Sequence, residues 1–320
     1  DHERASKLFE EASRLHSGMK AGNFLWWAIV SLDKFETGGG ERDGLDEHRA
    51  ALIERFLSDH PSHPSAPKAL LRRFATIENP TLQDAETLVM VPTATANGAL
   101  AHQQGIRMLY RIFRRGSGAE RITAGRRIIE VVPIPTFDPD AEPERQLVEV
   151  LQARQLLDIA LSPGIDDPRT ARAALAAIDR GVTAGIIDLM GKERELDYRR
   201  LSLALLEGAS DDALYYFQLL EQGDQTGDDW LQVAARTLYN AAIPVLLDET
   251  IPTDDKRNQY GIDGVRRATE VLLGDRPENA DYSDPANYKL GRSLALADRL
   301  GYESSGRIES LERSNAIYRA

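Results

Sequence analysis

Residues 48–75 read HRAALIERFLSDHPSHPSAPKALLRRFA, and this stretch decides how the rest of the chain is understood. Its first half sets Ala50, Ile53, Phe56 and Leu57 on one stripe of a helix. Pro61 closes that helix, because proline has no N–H to extend the hydrogen-bond ladder. After Pro64-Ser65, the positions Ala66, Ala69, Leu70 and Phe74 recur at helical spacing. The small Ala66 and Ala69 let the second helix approach the first closely. The stretch predicts two helices joined by a short, proline-rich turn.

The same reading extends in both directions. Glu3 to His16 carries Ala5, Leu8, Phe9, Ala12 and Leu15 on one stripe, and Trp230, Val233, Ala234, Leu238, Ala241 and Val245 form another. Asp167-Pro168, Asp284-Pro285 and Asn79-Pro80 each set an N-cap acceptor before a proline at the first helical position. Ser210 is read as a cap, with Asp211 and Asp212 set against the positive helix end. Gly208, Gly223, Gly274 and Gly301 are read as helix stops. Fourteen or fifteen helices are expected, one of them over 183–207 with a break open at Gly191. Short loops between them predict antiparallel neighbours. Arg127–Ile134 is rich in β-branched residues, but a lone strand would have no partner edge, so it is read as helical to Val132.

Helix pairs recurring in series predict an all-α chain, an α-solenoid of antiparallel pairs. Residues 133–143 hold four prolines and three acids without period. They are expected to be a linker or long loop between an amino-terminal array, 1–132, and a carboxy-terminal one, 144–320, that could also continue the first.

His48–Ala75 resembles the tetratricopeptide repeat, in the form where one helix ends in Phe-Leu and a Tyr-Pro pair and the next opens on Ser-Pro and spaced alanines. Here Ser65-Ala66 and Ala69 supply the second helix, and His60 stands in the tyrosine position. Asp229–Leu273 and Ala286–Ala320 resemble looser copies, and the family's full Trp, Gly and Tyr signature is absent. The resemblance implies a right-handed superhelix whose concave groove binds peptides or protein segments. On that basis the chain is expected to be a non-catalytic interaction scaffold.

Composition bounds the alternatives. Of 320 residues, 42% are apolar and 28% charged, as in an ordinary core-forming chain. No apolar run approaches the roughly 18 residues that cross a bilayer. There is no Cys, so disulfides and thiolate chemistry are excluded, and both the cytoplasm and an export route remain compatible. Only seven of the 39 basic residues are Lys, as expected of a GC-rich, bacterial genome. The chain opens on Asp and closes inside a helical stretch, so an excised domain or processed chain is expected.

The net charge of −12 disfavours nucleic acid. The charge is uneven: residues 60–132 hold ten Lys or Arg against five Asp or Glu, and residues 192–300 hold 13 against 21. Arg107, Arg111 and Arg114 recur at i, i+4 and i+7, Arg115 flanks them, and Arg121, Arg126 and Arg127 follow on the next helix. These guanidiniums are either a solvated face with partners such as Glu120 and Glu130 or a binding face for an acidic peptide, a carboxyl terminus or a phosphate. Trp26 and Trp27 cannot share the centre of one stripe, so one is expected inside and the other near a surface, where it could anchor an interface.

No catalytic constellation is found. None of the six His residues forms the zinc-protease spacing, and a metal on His60, His63 and Asp59 is set against exposed turn histidines. Gly38-Gly39-Gly40 has no following Lys-Ser or Lys-Thr and is no phosphate cradle. No metal and no cofactor is expected. The competing reading is an α/α-type enzyme, a lyase or glycan-processing fold, with acids and aromatics converging in a cavity.

Overall fold

In the computed structural model, the turn after Phe56 is built around a buried histidine. Helix α3 (Leu45–Asp59) ends there and α4 (Ala66–Phe74) begins after it. His63 is only 6% exposed, which corrects the expectation of exposed turn histidines. Its Nδ1 accepts the Ser65 N–H at 3.0 Å, so the ring donates from Nε2 to Asn23 Oδ1 at 3.2 Å. Ala66 and Ala69 are buried in the same cluster as Phe56, where their small side chains admit a close helix pair.

The structure describes residues 2–40, 43–75, 77, 79–136, 138, 140–186, 192–223, 229–252, 255–274 and 277–319. Gly191, read as a possible break, lies outside them. Among the described residues the chain is all-α, with fifteen α-helices, one short 3₁₀ turn and no strand. Residues 127–131 are helical, as expected. The chain divides into two compact units, Asp1–Pro133 and Ile134–Ala320.

The first unit holds α1 (His2–Leu15), α2 (Gly18–Thr37), α3, α4, α5 (Leu82–Val89), α6 (Ala96–Arg115) and α7 (Gly118–Val131). Leu25, Ile29, Leu32, Ile53 and Phe56 form the core of α2–α4. Helix α1 meets α2 through small polar residues: Ser6 and Ser13 are buried, and Ser6 Oγ donates to the Ala28 carbonyl at 3.0 Å. Its apolar stripe is only partly covered: Phe9 packs against the α2–α4 core, while Leu8 and Leu15 are exposed. Helix α5 starts at Leu82, not at Pro80, because Thr81 and Asp84 form a capping box. Helices α5 and α6 touch closely at Gly105, where a Cβ would sit 2.8 Å from the Val89 backbone N and 2.9 Å from the Ala85 carbonyl.

The second unit holds α8 (Pro143–Ala160), α9 (Pro168–Thr183), α10 (Glu193–Glu207), α11 (Ser210–Gln222), α12 (Trp230–Leu246), α13 (Lys256–Leu273), α14 (Pro285–Ser305) and α15 (Ile308–Arg319). Pro143, read both as the end of the loop and as the start of a helix over 143–161, is the first residue of α8. The loop is tied to that helix by Gln146 Nε2, which donates to the Asp138 carbonyl at 3.1 Å. Asp167 and Asp284 cap α9 and α14 as expected. Ser210 is already helical and Ala209 takes the cap position. Gly301 does not stop α14, which runs to a left-handed Gly306. Helix α9 ends at Thr183, before a left-handed Gly185, so no helix begins at 183.

The core of α10–α14 gathers Phe217, Leu220, Leu238, Val265 and many alanines. The buried stripe of α12 is Leu231, Ala234, Ala235, Leu238, Tyr239, Ala242 and Leu246. It is broader than the sequence stripe and rotated from it, since Val233 is exposed. The cause is that α12 packs against α10, α11 and α13 together.

In both units every extensive helix contact joins elements adjacent or next but one in chain order. Several polar bridges between next-but-one helices span about 40 residues, while Arg267–Leu214 spans 53 and Tyr239–Ser293 spans 54. Arg72–Asp33 spans 39 residues, Arg127–Glu86 spans 41, Arg199–Asp158 spans 41 and Arg313–Glu270 spans 43.

Candidate functional site

The seven arginines singled out by sequence fall on two helices that pack together. Arg107, Arg111, Arg114 and Arg115 lie on α6, and Arg121, Arg126 and Arg127 lie on α7. Their side chains divide into two groups.

Arg127 is built into the fold. It is half-buried, with Nε 2.9 Å from Glu86 of α5 and Nη1 2.8 Å from Glu130. The Glu130 and Glu86 bonds outweigh desolvation and hold its pKa above the ordinary arginine value. Arg111 is half-buried and donates Nη1 to the Ile77 carbonyl at 3.2 Å. The Arg121 guanidinium lies 4.8 Å above the Phe113 ring, a cation–π contact. Arg126 is exposed but not without a partner.

Arg107, Arg114 and Arg115 are different. All three are exposed, and among the described residues none has a carboxylate within ion-pairing distance. Seven residues make nearly two helical turns, so Arg107 and Arg114 project in directions about 20° apart. Leu100, seven residues before Arg107, is exposed on the same line, which helical period alone could have shown. Next to Arg114 sits the half-buried Tyr110, whose hydroxyl pKa is raised by burial while Arg114 pulls it down. Of the two acids expected as local partners, Glu130 is taken by Arg127 and Glu120 forms no ion pair among the described residues.

Arg107 and Arg114 on one line of α6, with Arg115 about 100° round from Arg114, can bind carboxylates or phosphate with charge-assisted hydrogen bonds. Their setting sharpens this. Residues 1–133 hold 18 basic and 17 acidic side chains, while residues 134–320 hold 21 against 34. The exposed cations of α6 therefore stand in the near-neutral unit rather than within the acidic one.

The two tryptophans separate as expected. Trp26 packs 5.7 Å from the Phe56 ring, with the Arg72 guanidinium 4.7 Å from its own ring. Trp27 faces α1, 5.6 Å from both Phe9 and Phe24, and stays 46% exposed.

Acids and an aromatic do meet in a cleft lined by α9, α10 and α11, where Asp179, Glu207, Asp212 and Tyr216 stand. Asp179 is paired with Arg200 at 2.7 Å and Glu207 with Arg172 at 2.6 Å. In comparisons with known protein families, curated proteins and solved structures, nothing matches this chain.

Proposed function

We propose that this protein is a non-catalytic interaction scaffold, an α-solenoid of tetratricopeptide-like helix pairs that binds acidic protein or peptide segments. The observation that carries the binding half is the exposed trio Arg107, Arg114 and Arg115 on α6, which has no carboxylate partner among the described residues. Surface arginines usually find local carboxylates, as Arg127 does, and a group left without them is available to a partner. The architectural half draws support from contacts confined to near neighbours and from bridges spaced by about one helix pair. The ion pairs of Asp179 and Glu207 weigh against a free pair of carboxylates converging in the α9–α11 cleft.

The test is fluorescence anisotropy with a labelled Glu/Asp-rich peptide against the full chain. Binding should weaken as salt rises, because exposed charges are screened. The Arg107→Glu/Arg114→Glu/Arg115→Glu variant should lose about tenfold or more in affinity, a change of ~1.4 kcal/mol. Equal binding by the variant and the parent chain would sink the proposal.

A further inference from the structure

Helix α8 carries apolar side chains on two neighbouring sides. Val150, Ala153 and Leu157 are buried in the core, while Leu147, Val148 and Leu151 are exposed, Val148 by 61%. An exposed apolar stripe of this kind beside a core-facing one marks an interaction surface.

Beside the outer stripe, α8, α9 and α10 enclose a cleft of about 220 Å³. Val150, Ile178 and Leu196 line it, and Leu147 and Leu151 continue it to the surface. Its rim is charged. Glu195 is held by Arg154 and, at 2.8 Å, by Arg199. Burial raises the Glu195 carboxyl, but the two arginines more than offset this and keep it below the ordinary glutamate range. Lys192, on the same rim, has no carboxylate partner among the described residues. Three cations and one carboxylate thus border an apolar cleft, in a unit with 34 acidic and 21 basic residues.

Size selects the occupant. Small-molecule pockets span roughly 300–1,000 Å³. A cleft of about 220 Å³ takes one or two apolar side chains rather than a whole compound of that size. The exposed Leu147–Val148–Leu151 stripe lengthens the apolar surface along α8, as a helix laid into a groove requires. Lys192 adds a preference for an acid beside those apolar anchors.

We infer that the cleft between α8 and α10 seats an amphipathic helix of a partner protein, with apolar anchors in the cleft and a Glu or Asp against Lys192. The site shares no residue with the α6 arginines and stands or falls separately from them.

The experiment titrates the full chain with two labelled helical peptides of identical Leu spacing, one carrying Glu and the other Lys on the flank. The Glu peptide should bind about tenfold tighter than the Lys peptide, equivalent to ~1.4 kcal/mol. Leu151→Ser, at an exposed position, should weaken the Glu peptide by a similar factor, and Lys192→Glu should abolish the preference for it. Circular dichroism should show parent helicity in each variant. Three outcomes overturn the inference: no binding of either peptide, equal binding of the two, or insensitivity to both Leu151→Ser and Lys192→Glu. It is also overturned if a dansylated fatty acid, but not the peptide, binds in a Leu151-dependent way. So too if sedimentation finds a dimer that Leu151→Ser dissolves, since a second copy would then cover this face.

Discussion

Arg313 of α15 donates Nε to Oδ2 of Asp298 at 2.6 Å, and the Asp298 side chain has no exposed surface. The same guanidinium also reaches Glu270 of α13, so one side chain ties three helices. The bond to Asp298 is the chief reason the Arg313 pKa lies above its ordinary value. Arg313→Ala would leave a buried carboxylate without its cation, which costs about 3–5 kcal/mol. Urea unfolding followed by circular dichroism should show a loss of that size, and Arg313→Ala combined with Asp298→Asn should recover part of it.

His63 should make the first unit sensitive to mild acid. Burial, together with the neighbouring His60, lowers its pKa below the ordinary 6.5. The Ser65 N–H on Nδ1 also has to be given up when that nitrogen takes a proton. The unfolded chain therefore binds the proton at higher pH than the folded one. Stability contributed by neutral His63 is complete above pH 6.5 and declines as pH falls from there through the folded pKa. An NMR titration of the ring should give a midpoint below 6.5; a midpoint at or above it contradicts this account.

Arg127 and Arg107 should separate stability from binding. Arg127→Ala removes bonds to Glu86 and Glu130 in a half-exposed setting, worth about 1 kcal/mol at most. It should lower the unfolding midpoint slightly and leave affinity for the acidic peptide within about twofold, a change of ~0.4 kcal/mol. Arg107→Ala should do the reverse.

Gly105→Ala should wedge α5 from α6. The added methyl meets the Val89 N and Ala85 O backbone atoms, which cannot rotate away. Overpacking of this kind costs roughly 1–3 kcal/mol. Differential unfolding of the variant should show it, and an unchanged midpoint would mean that the two helices are held less closely than this.

Helices were legible in the sequence because their signals are local. Asp167 and Asp284 cap through backbone N–H groups two or three residues away, within reach of simple spacing rules. Local rules failed where two signals competed. Pro80 lost to the Thr81–Asp84 box, and Gly301 lost to Gly306, where a left-handed residue is needed. The candidate site was legible only as a cluster. Which arginines stay unpaired depends on partners such as Glu86, 41 residues from Arg127, and on the Ile77 carbonyl, 34 residues from Arg111. No spacing rule supplies those. The α8–α10 cleft was missed for a related reason. Its sequence signal, apolar residues at positions 147, 148, 150 and 151, was absorbed into an ordinary helix reading.

The near-neighbour contacts bear on how such a chain is made. A helix that meets only the elements one or two places away has its partners as soon as those few dozen residues have been synthesised. Nothing in that contact pattern obliges an early helix to wait for a distant strand or a closing terminus. Loop-closure cost stays small at each step, and low contact order favours rapid folding. Within each unit the helices can therefore pack in the order in which they are synthesised.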